Sequence, residues 1–146
     1  ACYPAAVLGL GATVHTHTRS IAADDFFKGM FETALAEGEV ITAVSFPVPE
    51  KAGWQKFKQP ASRFAIVGVF VSKGPQGARV AVTGAGPGVF RATALERALD
   101  TDWSAKAIEA VAVDADGLNN DLHASAAFRA QLIKVQTQKA VRQANG

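Results

Sequence analysis

His15 and His17 are the residues whose type and spacing best suit chemistry in this chain. Side chains two positions apart lie on the same face of a strand, so the two imidazoles could share a metal ion. No third ligand is close in the sequence, since His123 belongs to a distant loop. We therefore interpret the pair as solvent-facing histidines on an edge strand.

A glycine-rich segment at residues 84–88 follows an apolar run, as the phosphate-binding turn of a dinucleotide site does. Its spacing differs from GxGxxG, and Pro87 with the β-type residues Val89 and Phe90 prevents a helix from starting there. A pyrophosphate would therefore find no helix N-terminus to bind it. We interpret the segment as a tight turn between strands.

The other polar groups give no catalytic or metal-binding pattern. Asp114 and Asp116 lack the remaining ligands of a calcium loop, so we interpret them as solvated loop charges. The single cysteine, Cys2, excludes an intrachain disulfide and fits a reducing compartment. No Ser/His/Asp or Cys/His arrangement is present.

Composition and charge exclude several classes of function. Apolar residues make up 49% of the 146 residues, which is typical of a globular domain. With 15 Lys+Arg and 13 Asp+Glu the net charge is only +2, and no basic block indicates a nucleic-acid surface. The longest apolar run, residues 64–71, is far shorter than a membrane-spanning helix requires and suits a buried strand.

The chain predicts strands first and helices afterwards. Alternating apolar residues predict strands at residues 12–18, 39–46, 54–58, 64–73 and 78–83, the last two joined by a turn at 74–77. Helices are predicted at residues 4–10, 93–99, 104–111 and 125–143, with Ser104 as an N-cap and with Phe128, Leu132 and Val135 facing the core. We expect an α+β fold, in which an antiparallel sheet of three to four strands, including 39–46, carries about three helices on one face.

Several segments, taken in order, resemble the FAD-binding medium subunit of molybdenum hydroxylases, the family of carbon monoxide dehydrogenase and xanthine dehydrogenase. They are DFFKGMFETAL at 25–35, GEVI at 38–41, FKQPASRFA at 57–65, RVAVTGAG at 79–86 and HASAAFRAQL at 123–132. The resemblance covers the C-terminal portion of that subunit. It implies that residues 1–25 are the tail end of the FAD-binding domain and that residues 26–146 are the flavoprotein C-terminal domain.

The resemblance also implies a function for the complete assembly. Such a subunit carries FAD between an iron–sulfur small subunit and a molybdopterin large subunit, so the molybdenum cofactor and [2Fe-2S] clusters are expected only in those partners. Electrons would pass from molybdenum through the clusters to FAD and then to an acceptor. A cytoplasmic location is expected.

Three residues of this chain match cofactor contacts of the family. These residues are Val40, Ile41 and Lys58. The equivalent of Ile41 packs against the cofactor, Val40 precedes it in the same motif, and Lys58 matches a cofactor-contacting lysine. An aliphatic side chain can cover a ring, and an ammonium suits an electron-rich cofactor. The alternative interpretation makes Ile41 a core residue and Lys58 a surface charge.

The family's two glycine-rich phosphate motifs lie in the part that would precede this chain, and neither is present here. We therefore expect a partial FAD site, completed by the missing N-terminal part of the same subunit, and an isolated chain without activity. A fragment, a split subunit or a truncation would each fit. The competing hypothesis is a non-catalytic interaction or assembly module that retains the fold without binding FAD.

Overall fold

The computed structural model describes residues 2–146. In chain order the elements are α1 (Cys2–Gly9), β1 (Thr13–Thr16), β2 (Ser20–Ala22), α2 (Ala23–Phe26), β3 (Phe27–Gly29), β4 (Glu32–Thr33), β5 (Ile41–Ser45), β6 (Lys51–Lys58), β7 (Ala65–Gly74), β8 (Gly77–Thr83), β9 (Phe90–Arg91), α3 (Thr93–Thr101) and α4 (Ala126–Ala144). The expected α+β fold is confirmed.

An antiparallel sheet in the order β6-β7-β8-β9 forms the centre of the molecule. β7 and β8 are rich in valine, and their register runs from Gly68↔Thr83 to Gly74↔Gly77, so the predicted turn closes this hairpin. Gly77 has a φ of 93°, which L side chains rarely adopt. Glycine at this position therefore lets the two strands meet in so short a turn.

Helices α3 and α4 cover one face of this sheet, with α3 over β8 and α4 over β6 and β7. Their buried side chains form one core with the inward valines of β7 and β8. Its largest fully buried members are Val67, Val69, Val71, Val80, Val82, Leu95, Leu99, Ile108, Ile133 and Val141. At Gly53 the backbone of β6 lies directly under Ala140 of α4, where a Cβ would be 2.1 Å from the Ala140 oxygen.

The opposite face of the sheet is covered by α1, which packs on β7 and β8. Beyond α1 lies a second antiparallel sheet in the order β2-β1-β5. The strand predicted at residues 39–46 is present as β5, but its expected place beside β6 is wrong because β5 pairs with β1. Alternation indicates a strand without naming its partner, and here the partner precedes it by about thirty residues.

A partly buried ionic network fixes α1 and α2 to this sheet. Arg79 of β8 donates to the carbonyl of Leu8 at 2.9 Å and to Asp24 at 2.7 Å. Asp24 also contacts Arg91, which forms a bidentate pair with Glu96 of α3. Each of the two arginines therefore links elements that are far apart in the sequence.

The buried stripe of α4 differs from the predicted one. Leu132 is buried as expected, but Phe128 is 45% exposed and Val135 is only partly buried. The buried positions of the helix are Arg129, Ala130, Leu132, Ile133, Gln136, Thr137, Ala140 and Val141. Polar side chains occupy several core-facing positions, so the apolar pattern alone placed the stripe one residue away.

The helix predicted at residues 104–111 is absent: this segment is a run of turns. Ser104 does accept a hydrogen bond from the amide of Ala107 at 3.2 Å, as an N-cap would. Only Ile108 of this segment is fully buried. Tertiary packing supplies most of the stability of a short helix, so a single buried side chain is not enough to stabilise a helix at residues 104–111.

Truncation of Leu132 tests whether α4 docks through its buried face. Leu132→Ala should lower the free energy of unfolding by about 2–5 kcal/mol, because it removes a side chain only 6% exposed. Phe128→Ala, on the exposed side of the same helix, serves as the control and should cost less. Urea denaturation of both variants measures the difference, and equal losses would contradict this orientation of the helix.

Candidate functional site

Strand β5 and the residue before it leave aliphatic side chains uncovered. Val40 is 61% exposed and Ile41 is 42% exposed. β5 lies at an edge of its sheet, and four of its five residues are exposed. The interpretation of Ile41 as a core residue is therefore wrong, and its side chain is free to cover a ligand.

The carboxylate of Glu39 anchors the start of this strand. It accepts a bidentate pair from Arg19 at 2.8 Å, the hydroxyls of Thr16 and Thr18, and the amide of Ala36. The Arg19 guanidinium first, then the Ala36 amide and the Thr16 hydroxyl, hold the pKa of Glu39 far below its ordinary range. The contacts of the ionised Glu39 carboxylate stabilise the fold. Because the pKa of Glu39 is lowered in the folded state, this stabilisation is present above the unfolded-state pKa and is lost only as the pH falls through the folded-state pKa.

The two histidines have separate partners. His15 contacts the hydroxyls of Ser20 and Ser45, each at 2.8 Å. His17 lies beyond the end of β1, and its Nδ1 accepts the amide of Val40 at 3.2 Å. The expected edge strand is wrong, since β1 is the middle strand of its sheet. Within residues 2–146 no group of three or more His, Cys, Asp or Glu side chains could hold a metal ion.

Lys58 ends β6, at the edge of the four-stranded sheet. Two positions earlier, Lys56 donates from Nζ to Sγ of Cys2 at 3.3 Å, which places this side of β6 beside the first turn of α1. Lys58 is exposed. The sheet expected from the sequence includes both residues 39–46 and residues 54–58, but β5 and β6 belong to different sheets, so Ile41 and Lys58 do not share one.

A cleft of about 910 Å³ opens at the same end of the sheet as Lys58. It lies between the β3–β4 hairpin, the turn from β6 to β7, and the segment after β8. Its walls include Pro4, Phe27, Met30, Phe31, Gln59, Ser62, Phe64, Ile66, Pro87, Val89, Asn119, Asp121, His123 and Arg129. In the described part of the chain, the non-glycine residues with positive φ are Phe31 and Arg63, one in each bordering turn. Such backbone strain clusters at binding sites.

The polar wall of this cleft is organised by Arg129, which is 3% exposed. Its guanidinium donates to the carbonyls of Ile66 and Gly84 at 2.7 and 3.0 Å and to both oxygens of Asp121. The amide of His123, followed by other amide and guanidinium donors, holds the pKa of Asp121 below its ordinary value. Arg129 therefore joins the ends of β7 and β8 to the loop before α4.

The glycine-rich segment at 84–88 is a structural turn between β8 and β9, as we interpreted it. Gly84 has a φ of 81°, and a Cβ there would lie 2.3 Å from the Ala65 oxygen. Asn119 donates its side-chain amide to the carbonyls of Gly84 and Gly86. Glycine is needed at position 84 because two backbone segments lie close together there, and not because a phosphate approaches.

The chain matches two families, and the matched segments meet near the start of β6. Residues 2–49 match the FAD binding domain in molybdopterin dehydrogenase, and residues 53–144 match the CO dehydrogenase flavoprotein C-terminal domain. Because the second match covers more than half of the residues, the chain belongs to the family of the CO dehydrogenase flavoprotein C-terminal domain. The resemblance drawn from the sequence is confirmed, while the domain boundary expected after residue 25 stays a prediction.

Solved structures share this fold over 97% of the chain. CO dehydrogenase from Oligotropha carboxidovorans matches with a TM-score of 0.84 at 23% identity, and carbon monoxide dehydrogenase from Hydrogenophaga pseudoflava with 0.81 at 25%. Quinoline 2-oxidoreductase from Pseudomonas putida 86 matches with 0.77 at 27%. The chain spans only 54–55% of the length of these structures' chains. No curated protein matches it significantly.

None of the helices within residues 2–146 combines the length and the apolar character needed to cross a membrane.

Proposed function

We propose that this chain forms one side of the FAD site in the flavoprotein subunit of a molybdenum hydroxylase. The observation that carries the proposal is the uncovered β5 strand, with Val40 and Ile41 exposed, in a chain whose residues 2–49 match an FAD-binding family. A soluble domain normally buries such a strand face or offers it to a partner. A flat aromatic ring is the partner that the family match indicates.

The residues present fit part of such a cofactor. Val40 and Ile41 provide aliphatic surface, and Lys58 provides an exposed ammonium for the electron-rich edge of the ring. Val40, Ile41 and Lys58 would not bind the phosphates of FAD. The glycine-rich turn at 84–88 does not supply a phosphate site either, because it serves backbone packing. When bound, FAD would supply the capacity to accept and pass on electrons.

The remaining elements of the proposal concern partners. The chain spans about 55% of the length of its solved relatives, and the N-terminal FAD-binding part of the same subunit would complete the FAD site. An iron–sulfur small subunit would deliver electrons, and a molybdopterin large subunit would carry out the hydroxylation. A cytoplasmic location is part of the same proposal.

Lys58→Met in the assembled enzyme tests the FAD site. The change keeps the bulk of the side chain and removes its charge. We expect FAD binding to weaken by about 1.5–3 kcal/mol, the range of a hydrogen bond to a charged group, or roughly ten- to hundredfold in Kd. Flavin content and reduction potential are measured, while the molybdenum half-reaction should be unchanged.

Lys73→Met is the matched control, since Lys73 is an exposed lysine of the same sheet at the far end of β7. It should leave flavin content and potential unchanged. If Lys58→Met leaves both quantities as they are in the control, Lys58 is a solvated surface charge.

A non-catalytic interaction or assembly module remains the second candidate. The cleft end of the molecule favours it, because Met30 is 59%, Phe31 102% and Phe64 59% exposed there. Clustered exposed apolar side chains mark interaction surfaces. A completed subunit that assembles with its partners but retains no flavin would support this candidate over the first.

A further inference from the structure

We infer that His17 is a positioning residue for the segment Val40–Ile41 and that it holds this segment only while its imidazole is uncharged. The consequence for flavin rests on the proposed function above. The position of the segment Val40–Ile41 is independent of that function, because the contacts that define it lie within this chain.

Two hydrogen bonds join His17 to Val40. The amide of His17 donates to the carbonyl of Val40 at 3.1 Å, and the amide of Val40 donates to Nδ1 of the imidazole at 3.2 Å. A backbone amide only donates, so Nδ1 must present a lone pair. A doubly protonated imidazole would instead direct an N–H at the N–H of Val40, and this bond would be lost.

His15 offers a contrast on the same strand. Its two ring nitrogens contact the hydroxyls of Ser20 and Ser45. A hydroxyl can donate or accept by rotating, so these contacts survive a change in the charge of the ring. Only His17, with a fixed backbone donor as its partner, makes the position of the backbone depend on the protonation of a side chain.

The charged groups on the two segments that contact His17 are Arg19 in its own turn, Glu39 next to Val40, and the exposed Glu37 before it. Arg19 and Glu39 neutralise each other in the bidentate pair. That pair lasts to strongly acidic conditions, since the pKa of Glu39 is lowered by Arg19. Protonation of the His17 ring would therefore break the contact with the Val40 amide and leave the Glu39 contact in place.

The exchange rate of the Val40 amide, measured by NMR on residues 1–146, tests the inference. After correction for intrinsic exchange, protection of Val40 should fall about three- to tenfold between pH 7.5 and 5.5, the range expected for one net hydrogen bond. His17→Asn keeps an acceptor that does not titrate and should abolish the pH step. His17→Phe should remove the protection at both pH values, and His15→Asn should behave as the unchanged chain does.

A pH-independent Val40 amide in the unchanged chain would overturn the inference, and so would an unchanged pH step in His17→Asn. Flavin retention between pH 7.5 and 5.5 in the assembled subunit tests the proposed function separately. A Val40 amide that responds while retention is the same in His17→Asn and the unchanged protein would place the flavin away from this segment. The assignment of His17 as the positioning residue would then stand without its consequence for flavin.

Discussion

Gly53→Ala should destabilise the protein by about 2–4 kcal/mol. The added Cβ would lie 2.1 Å from the oxygen and 2.9 Å from the carbonyl carbon of Ala140. These are backbone atoms of α4, about one turn before its C-terminal end, so no side-chain rotation relieves the clash. The whole of α4 would have to move away from β6, and overpacking of this kind typically costs 1–3 kcal/mol or more.

Gly74→Ala is the matched control for this substitution. Gly74 also lies in a strand of the central sheet, yet a Cβ there meets nothing within 4 Å and its φ is not in the left-handed region. Its free energy of unfolding should change by no more than about 0.5 kcal/mol. Urea midpoints of the two variants measure the contrast, and a Gly53→Ala protein as stable as Gly74→Ala would mean that α4 does not lie against β6.

Arg129→Met should lower the free energy of unfolding by about 3–5 kcal/mol, the range seen when one partner of a buried ion pair is removed. Methionine matches the stem of arginine but offers no donor to the carbonyls of Ile66 and Gly84. The Gly84 carbonyl keeps the Asn119 amide as a donor, whereas the Ile66 carbonyl loses its guanidinium donor, and a buried carbonyl left without a partner costs about 1–3 kcal/mol. Asp121 loses its bidentate partner but is 43% exposed on its side chain, so water can solvate it in part.

The control for this variant is Arg142→Met, on the exposed side of the same helix near its C-terminus. It should change the free energy of unfolding by less than about 1 kcal/mol, because only a helix-end charge is removed. Chemical denaturation monitored by far-UV circular dichroism measures both variants. An Arg129→Met loss no larger than that of the control would show that the guanidinium contributes no net stability.

Much of the central sheet could be predicted from the sequence because its signals are local. The valine-rich runs of β7 and β8 are joined by a glycine turn. Because this turn is so short, the two strands must pair with each other. The partner of β5 could not be predicted, because β1 lies about thirty residues earlier and no local signal states the register. Strand existence is thus a local property here, and sheet membership is not.

The helices divide in the same way. Residues 104–110 have good helix formers, but the number of core contacts decides whether a short helix persists, and that number depends on distant residues. In α4 the buried stripe includes Arg129, whose guanidinium donates to the carbonyls of Ile66 and Gly84, and Thr137, whose hydroxyl donates to the carbonyl of Ile133. A pattern that counts apolar residues cannot recognise such positions.

For the candidate site, the sequence supplied Ile41, Val40 and Lys58 only through a resemblance. The structure adds the residues around Val40 and Ile41: Glu39 with Arg19, and His17 with Val40. Neither contact has a spacing that a single sequence reveals, because each joins a turn to a segment about twenty residues away. His17 was noticed, but for a metal site, since the lone pair of an imidazole serves an amide as readily as a metal.

Because α1 packs on β7 and β8, the two segments that the family matches delimit do not fold independently of each other. The two family matches meet between residues 49 and 53, yet Ala5, Val7 and Leu8 share a buried cluster with Ala81. A gene rearrangement that cut the chain at that point would divide one hydrophobic core between two polypeptides. Selection should therefore keep the two segments in one reading frame, whatever happens to the sequences around them.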